Sequence, residues 1–421
     1  MKLAVVGGGW AGLAAGVAAV RAGHAVTVFE AARIAGGRAR TLPVKLSDGG
    51  EALLDNGQHI LIGAYVETLR LMEQVGVRLD DALLRLPLVL RNLEGEGLAL
   101  PLWPAPFDAA AGILTARGWS WGDKLSLLRA SLRWQRAGFQ CAPMDSVADL
   151  CVGLAPRVVA ELIEPLCVSA LNTPAARSSG SVFLRVLRDS LFGQGYGRWG
   201  ASNLLLPKQD LGRLFPEAAL AWLQARGAEV RLGQRVQAVA ATDARCAVDG
   251  ERFDAVVLAC PAPEAARLAR GANPAGAAWS AQAEALDHEA IATVYVTGGP
   301  RLPLPMLTLH SGPGAPAQFV FDRSQLGGPD GLLAFVVSAA EGDRETLETQ
   351  VLAQARGLGW NVQSLQTVVE KRATFACVPG LVRPPLAVAP RLWACGDYVE
   401  GPYPATIEGA VRSGLEVAGI L

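Results

Sequence analysis

Residues 2–30, KLAVVGGGWAGLAAGVAAVRAGHAVTVFE, limit what this chain can fold into more than any other stretch. Lys2–Val6 reads as a short buried strand. Gly7-Gly8-Gly9-Trp10-Ala11-Gly12 is a GxGxxG turn, Leu13–Ala22 a helix of small residues closed by Gly23, and Ala25–Phe29 a second strand ending at Glu30. A signal peptide also begins with a lysine, an apolar stretch and small residues. Three consecutive glycines and a tryptophan interrupt that reading, whereas strand, turn, helix and strand use every residue.

The unit suits a dinucleotide. Gly7 permits the tight turn, Gly9 lets the backbone approach a pyrophosphate, and Gly12 lets the helix pack close to the sheet. The helix N-terminus, Trp10 and Ala11 included, then faces the phosphates. Glu30 lies at the distance expected for an acid that grips ribose hydroxyls, and its charge would repel a 2′-phosphate, which disfavours NADP. The following AARIAGGRAR places Gly36, Gly37 and Arg38 together, with Arg40 behind them. A glycine pair followed by a guanidinium suits a backbone that hugs a phosphate while the arginine neutralises it. A solvated basic loop is the plainer alternative.

The far end carries a second piece, LWACGDYVEGPYPATIEGAVRSGL at 392–415. The expected strand Leu392–Cys395 runs into Gly396 and Asp397. A helix then starts near Ala405–Thr406 and continues through Ile407, with Gly409, Ala410, Ser413 and Gly414 on its small faces. Its N-terminus would stabilise the negative N1–O2 edge of a reduced flavin, and Asp397 would hold ribityl hydroxyls.

Together GGGWAG, Glu30, GGR, LLDNGQH and GDYVEGPYPATIEGAVRSG resemble the flavin-containing amine oxidoreductase superfamily over nearly the whole chain. The resemblance implies an α/β fold: a Rossmann-like FAD-binding domain interleaved with an α+β substrate domain. The expected FAD-binding portions are 1–63, 206–269 and 386–421, and the substrate-binding portions 64–205 and 270–385. It implies non-covalent FAD, a backbone contact from Val236 to the adenine in an "RV" strand followed by a β-meander, and a segment Asp55–His59 running under the flavin. There Gly57 would approach the ring and Asn56 and Gln58 would meet the cofactor's polar edges or neighbouring backbone. His59 would face the substrate or serve as a satisfied core histidine, and Asp55 reads as a turn-former in preference to a catalytic acid.

More narrowly, LLDNGQHILIGAY and KRATFACVPGL resemble the hydroxysqualene dehydroxylases of bacterial hopanoid pathways. That implies an isoprenoid substrate whose allylic hydroxyl leaves after protonation and is replaced by hydride from reduced FAD. His59 is the first choice of proton donor and Tyr403 the second. A carotenoid or isoprenoid desaturase using oxidised FAD is the alternative, and an amine oxidase fits less well.

Composition agrees with a greasy substrate, since apolar residues make up 51% and charged residues 18% of 421, and the net charge is −1. That charge gives no case for nucleic acid. The seven cysteines include no CxxC pair, so reduced thiols, no metal site and a cytoplasmic location are expected. Asp123–Ala137, DKLSLLRASLRWQRA, reads as a helix with Leu125, Leu128 and Leu132 on one stripe and with Trp119, Trp121 and Trp134 around it. Its arginines suit either a solvated face over a core stripe or contact with the inner face of a membrane. No transmembrane span is expected. Arg177, Arg185, Arg188 and Arg198 suit a tunnel mouth or an interface, and Pro300–Pro316 reads as strand ends and loops. Gly312–Ala317 lacks a third glycine and a following helix, so a diffusible electron donor is expected in place of a second nucleotide domain.

Overall fold

A computed structural model describes residues 1–45 and 49–421. The strand Lys2–Val6, helix Trp10–Arg21 and strand Ala25–Glu30 form as the sequence implies. Leu3 to Val6 are buried, as in a strand covered on both faces. The helix starts three residues earlier than expected, because its first turn carries the GxGxxG amides.

This unit sits in a six-stranded sheet. Its order is Glu229–Leu232, Ala25–Glu30, Lys2–Val6, Ala255–Leu258, Leu392–Ala394 and Ala387–Ala389. All pairings are parallel except the last. Three sequence-distant segments therefore build one Rossmann-like sheet. An antiparallel meander, Val239–Ala241, Cys246–Val248 and Glu251–Phe253, follows as expected. Arg235 and Val236 lie outside any strand, in the connection between Glu229–Leu232 and the meander, which corrects the "RV" strand.

The C-terminal helix Ile407–Ile420 lies on the Trp10–Arg21 helix. A Cβ at Gly414 would collide with the Ala11 carbonyl oxygen, and one at Gly12 with the Gly7 carbonyl oxygen. Two backbones thus touch where small residues were read on both helices. The helix Val66–Gln74, expected in the substrate-binding portion, adds Leu69 and Met72 to the apolar cluster that holds Val17 and Val411.

A second, five-stranded antiparallel sheet has the order Met306–Thr308, Phe319–Asp322, Leu333–Ser338, His288–Thr297 and Gln363–Phe375. Alternation sorts its faces. Ala292, Val294 and Val296 pack with Leu347 and Val351 of the helix Arg344–Gly357, while Tyr295 turns to the opposite face and reaches the Asp55 segment. Gly312 and Ala315 close a tight turn ahead of the strand Phe319–Asp322. The rest combines three small antiparallel sheets, one of them pairing Thr41–Lys45 with Glu51–Asp55, with helices that include Phe107–Thr115, Trp121–Arg136 and Gly180–Phe192. Among the described residues no helix is long and apolar enough to cross a membrane. The seven cysteines are free.

The Trp121–Arg136 helix corrects one expectation. Its core stripe is Leu127, Ala130 and Trp134, whereas Leu125 and Leu132 are exposed. Trp119 is also buried and donates to Glu161 Oε2 at 2.7 Å. The arginines read as a tunnel mouth or an interface are each ion-paired, Arg185 and Arg188 locally with Asp189, Arg177 and Arg198 with the sequence-distant Glu289 and Asp80.

Candidate active site

The two glycine motifs face each other. Gly36 N donates to Gly8 O at 2.9 Å, and Gly9 bridges Gly36. Gly7 has φ +124°, a conformation that L side chains rarely adopt. A Cβ at Gly9 would meet nothing nearer than the Gly37 Cα at 3.8 Å. A Cβ on either Gly9 or Gly37 would meet only the other's backbone, so no side chain stands where the two motifs meet. No side chain caps the Trp10–Arg21 helix and no acid stands in its first turn, whereas Ser120, Ser146, Asp343 and Thr406 cap their own helices. An uncapped helix N-terminus on a glycine-lined cleft fits a pyrophosphate. Trp10 contributes only its backbone, because its indole turns inward against Phe215 and donates to Ala39 O.

Glu30 stands at the strand end, where its carboxylate accepts from Gly8 N and Ala32 N, both at 2.7 Å. A carboxylate has about four acceptor sites, so two remain for ribose hydroxyls. Glu30→Ala should lower FAD affinity about 10- to 100-fold, the equivalent of a lost charge-assisted pair at about 1.5–3 kcal/mol. Fluorescence titration of the apoprotein with FAD measures this, and unchanged affinity would remove Glu30 from the site. Val236 is buried, and its carbonyl already accepts from Arg267 at 3.1 Å, which leaves its N–H as the group for an adenine edge.

Arg38 and Asp397, 359 residues apart, form an ion pair that joins the first motif to the last. Arg38 also donates to Ala373 O at 2.6 Å. The end of the KRATF strand thus reaches the same cleft. Gly396 N donates to Ser413 Oγ at 2.9 Å and Ala405 N to Asp397 O at 3.2 Å. Thr406 is the N-cap of the C-terminal helix, and its hydroxyl also donates to Tyr403 O. That side chain is spent locally, so this end offers a flavin the helix dipole from Ile407 onward and not the Thr406 hydroxyl.

The LLDNGQHILI segment answers what its polarity faces. Asp55 ends the strand Glu51–Asp55. Its carboxylate makes no local turn and instead accepts from Leu211 N at 2.8 Å, which corrects the turn-former reading. Its carbonyl accepts from the Tyr295 hydroxyl at 2.9 Å. Its second oxygen has no hydrogen bond and lies 4.0 Å from the buried Arg323 guanidinium. Arg323 in turn donates to Gln58 Oε1 at 3.0 Å, and Asn56 Oδ1 accepts from Arg40 N at 3.2 Å. Asn56 and Gln58 are therefore held by protein groups. Beneath Gly57 lies the Thr293 hydroxyl, buried without a partner. Contacts this distant in sequence leave no local signal, so Arg323 and Thr293 were not legible in advance.

Burial pushes the Asp55 carboxyl up to about 6, with Arg323 and the Leu211 N–H opposing. A carboxyl raised above its unfolded value of 3.8 stabilises the fold below that value and loses the contribution as pH rises through about 6. The gap is worth about 3 kcal/mol. The stability of wild type relative to Asp55→Asn should therefore fall by about that much between pH 4 and pH 7, read from urea unfolding. Parallel curves for the two proteins would contradict a perturbed Asp55.

His59 is half-buried, and its Nδ1 lies 2.7 Å from Gly57 O. A carbonyl only accepts, so Nδ1 carries the proton and Nε2 is the remaining acceptor. Burial lowers the ring's pKa below its ordinary 6.5, and the Arg38 charge adds to this against the Gly57 bond. The imidazole is neutral at neutral pH. Tyr403, at φ +58°, donates its hydroxyl to Asp189 at 2.8 Å, and burial with that bond pushes it up to about 12. Its proton is thus committed to a neighbour. Tyr65 and Tyr403 meet edge-on at 6.4 Å and 71°, and Trp279 and Tyr398 at 6.4 Å and 68°.

Comparison with known proteins places this geometry. The profile of the family described as flavin containing amine oxidoreductase matches residues 10–421. Three curated proteins named hydroxysqualene dehydroxylase are 25–29% identical over 99% of this chain. The one from Rhodopseudomonas palustris is 29% identical and is covered over 97% of its length. A zeta-carotene desaturase from Synechocystis sp. is 37% identical over only 18% of this chain and 15% of its own. Among solved structures, an oxidoreductase from Methanosarcina mazei superposes with a TM-score of 0.75 at 18% identity, covering both chains fully.

Proposed function

Because this chain belongs to the flavin-containing amine oxidoreductases, a family of FAD-dependent oxidoreductases, we propose that it reduces hydroxysqualene to squalene. What supports the reading is the set of three dehydroxylases that match it from end to end. The desaturase match covers one short part and favours no more than a shared cofactor frame. Parallel aromatic rings would suit an amine substrate, and the two ring pairs near Tyr403 and Tyr398 stand edge-on instead.

Gly9, Gly37 and the Trp10–Arg21 helix would hold the pyrophosphate of FAD, Glu30 its ribose and Asp397 its ribityl chain. Reduced FAD, when bound, would supply the hydride for the carbon that the hydroxyl leaves. The chain's own residues supply the rest. Gly57 keeps the segment over Thr293 free of a side chain, so a long hydrocarbon and the cofactor can approach. His59 protonates the hydroxyl through Nε2 in its imidazolium form, and water departs. A buried imidazolium is scarce at neutral pH yet a strong acid, which suits a poor leaving group. The balance is one alcohol, one proton and one hydride giving one hydrocarbon and one water. Electrons reach the flavin from a diffusible donor.

The decisive experiment is anaerobic. Holoprotein reduced at flavin N5 with deuterium is mixed with hydroxysqualene, squalene or a simple amine, and products are weighed by mass spectrometry. Hydroxysqualene should reoxidise the flavin and yield squalene with deuterium at the former carbinol carbon. Unlabelled squalene, or no reoxidation, would discard this reaction. Bleaching of oxidised flavin by a saturated isoprenoid would install a desaturase. Acid precipitation should also leave yellow colour in the supernatant, as non-covalent FAD requires.

A further inference from the structure

We propose that the exposed face made by the helices Phe107–Thr115 and Trp121–Arg136 docks on an anionic lipid surface. Trp103 is 60% exposed, Phe107 65% and Trp121 69%, and Leu114, Leu125 and Leu132 are exposed beside them. Phe107 and Leu114 are seven apart on one helix, as are Leu125 and Leu132 on the other, and Trp121 precedes Leu125 by four, so each set shares a face. Lys124 ties the helices together: its Nζ donates to Leu114 O at 2.9 Å and lies 5.2 Å from the Trp121 ring centroid.

Large apolar side chains gathered on a surface mark a contact. Charge identifies the partner. Lys124, Arg129 and Arg136 are interleaved with the apolar residues, and among the described residues none of them forms an ion pair. The one acid on this helix, Asp123, is engaged in the Ser120 capping box. Aromatic rings beside cations that no carboxylate neutralises fit the headgroup region of a bilayer bearing anionic lipid. A second copy of the chain fits poorly. A two-fold interface sets the same patch against itself, which would bring six like charges together. Of the three tryptophans around this helix, Trp119 and Trp134 are core residues, while Trp121 is exposed and Trp103 and Phe107 extend its face.

The face stands independently of the reaction assigned above, and its test reads binding, not turnover. Holoprotein should co-sediment with phosphatidylcholine vesicles containing phosphatidylglycerol, more weakly at high salt, and much less with phosphatidylcholine alone. The triple variant Trp103→Ser, Phe107→Ser, Trp121→Ser removes only exposed rings and should keep its thermal melt. Its vesicle affinity should fall at least about tenfold, as should that of Arg129→Glu with Arg136→Glu. Wild type that stays in the supernatant with anionic vesicles, or a folded triple variant that sediments equally, would overturn the proposal. So would a wild-type dimer that the triple variant dissociates, which would assign the face to self-association.

Discussion

His59→Ala is expected to slow flavin reoxidation by hydroxysqualene about 10²–10⁴-fold while FAD remains bound, the range that a general acid contributes. The pH dependence separates this role from simple packing. Burial and Arg38 hold the ring's pKa below 6.5, so the imidazolium fraction, and with it the rate, should rise as pH falls toward that pKa and decline above it. The variant should lose this dependence together with the rate. His59→Gln preserves a polar side chain without a titrating proton and should behave like alanine. Stopped-flow reoxidation across pH, with flavin content measured on each sample, checks both points. Unchanged turnover in His59→Ala would leave His59 as a ring that braces Gly57 through its carbonyl. Tyr403 is a poor substitute, because its proton is already shared with Asp189.

Glu408→Ala should destabilise the protein by about 3–5 kcal/mol. Glu408 is fully buried in the first turn of the C-terminal helix. Its carboxylate accepts from Glu67 N at 3.1 Å, Thr68 N at 2.9 Å and Thr68 Oγ1 at 2.6 Å, and from Arg412 Nε at 2.7 Å. It therefore caps the Val66–Gln74 helix from another part of the chain, where Tyr65 supplies no side-chain cap. Each buried donor left without an acceptor costs about 1–3 kcal/mol, and two of them belong to the buried Thr68. Glu408→Gln keeps one acceptor but turns an NH₂ toward donors, so an intermediate loss is expected. Urea unfolding at fixed FAD concentration measures the change. FAD affinity should fall as well, since the same turn begins the helix that would face the flavin. A loss below about 1 kcal/mol would mean that water satisfies those donors.

The frame of the candidate cofactor site was the most legible part of the chain because its geometry is local. Gly7, Gly9 and Gly12 act through spacing and backbone conformation, and Glu30 through its place at a strand end, so neighbouring residues carry the whole signal. The C-terminal GDYVEGPYPATIEGAVRSG is legible for the same reason, as a strand, a loop and a capped helix. That Arg38 meets Asp397 follows only from folding, since no spacing rule joins residues 359 apart.

Periodicity was decisive for the existence of elements and silent on their environment. In the Trp121–Arg136 helix it shows an amphipathic pattern at 3.6 residues per turn, but two apolar stripes satisfy it. The leucine stripe looks like the core by composition, yet the fold buries Leu127, Ala130 and Trp134, because those positions meet a neighbouring surface and Leu125 and Leu132 do not. The sequence by itself determined the strand–turn–helix unit, the glycine motifs, the helix Trp121–Arg136 and the C-terminal helix, all of which rest on residues within a turn or two of one another. The tertiary structure alone decided which helix face is inside, that Arg323 lies against Asp55, that Glu408 caps a distant helix and that His59 is a half-buried, neutral ring. Those outcomes depend on burial and on partners far along the chain, and desolvation and long-range hydrogen bonds exist only once the chain has closed around them.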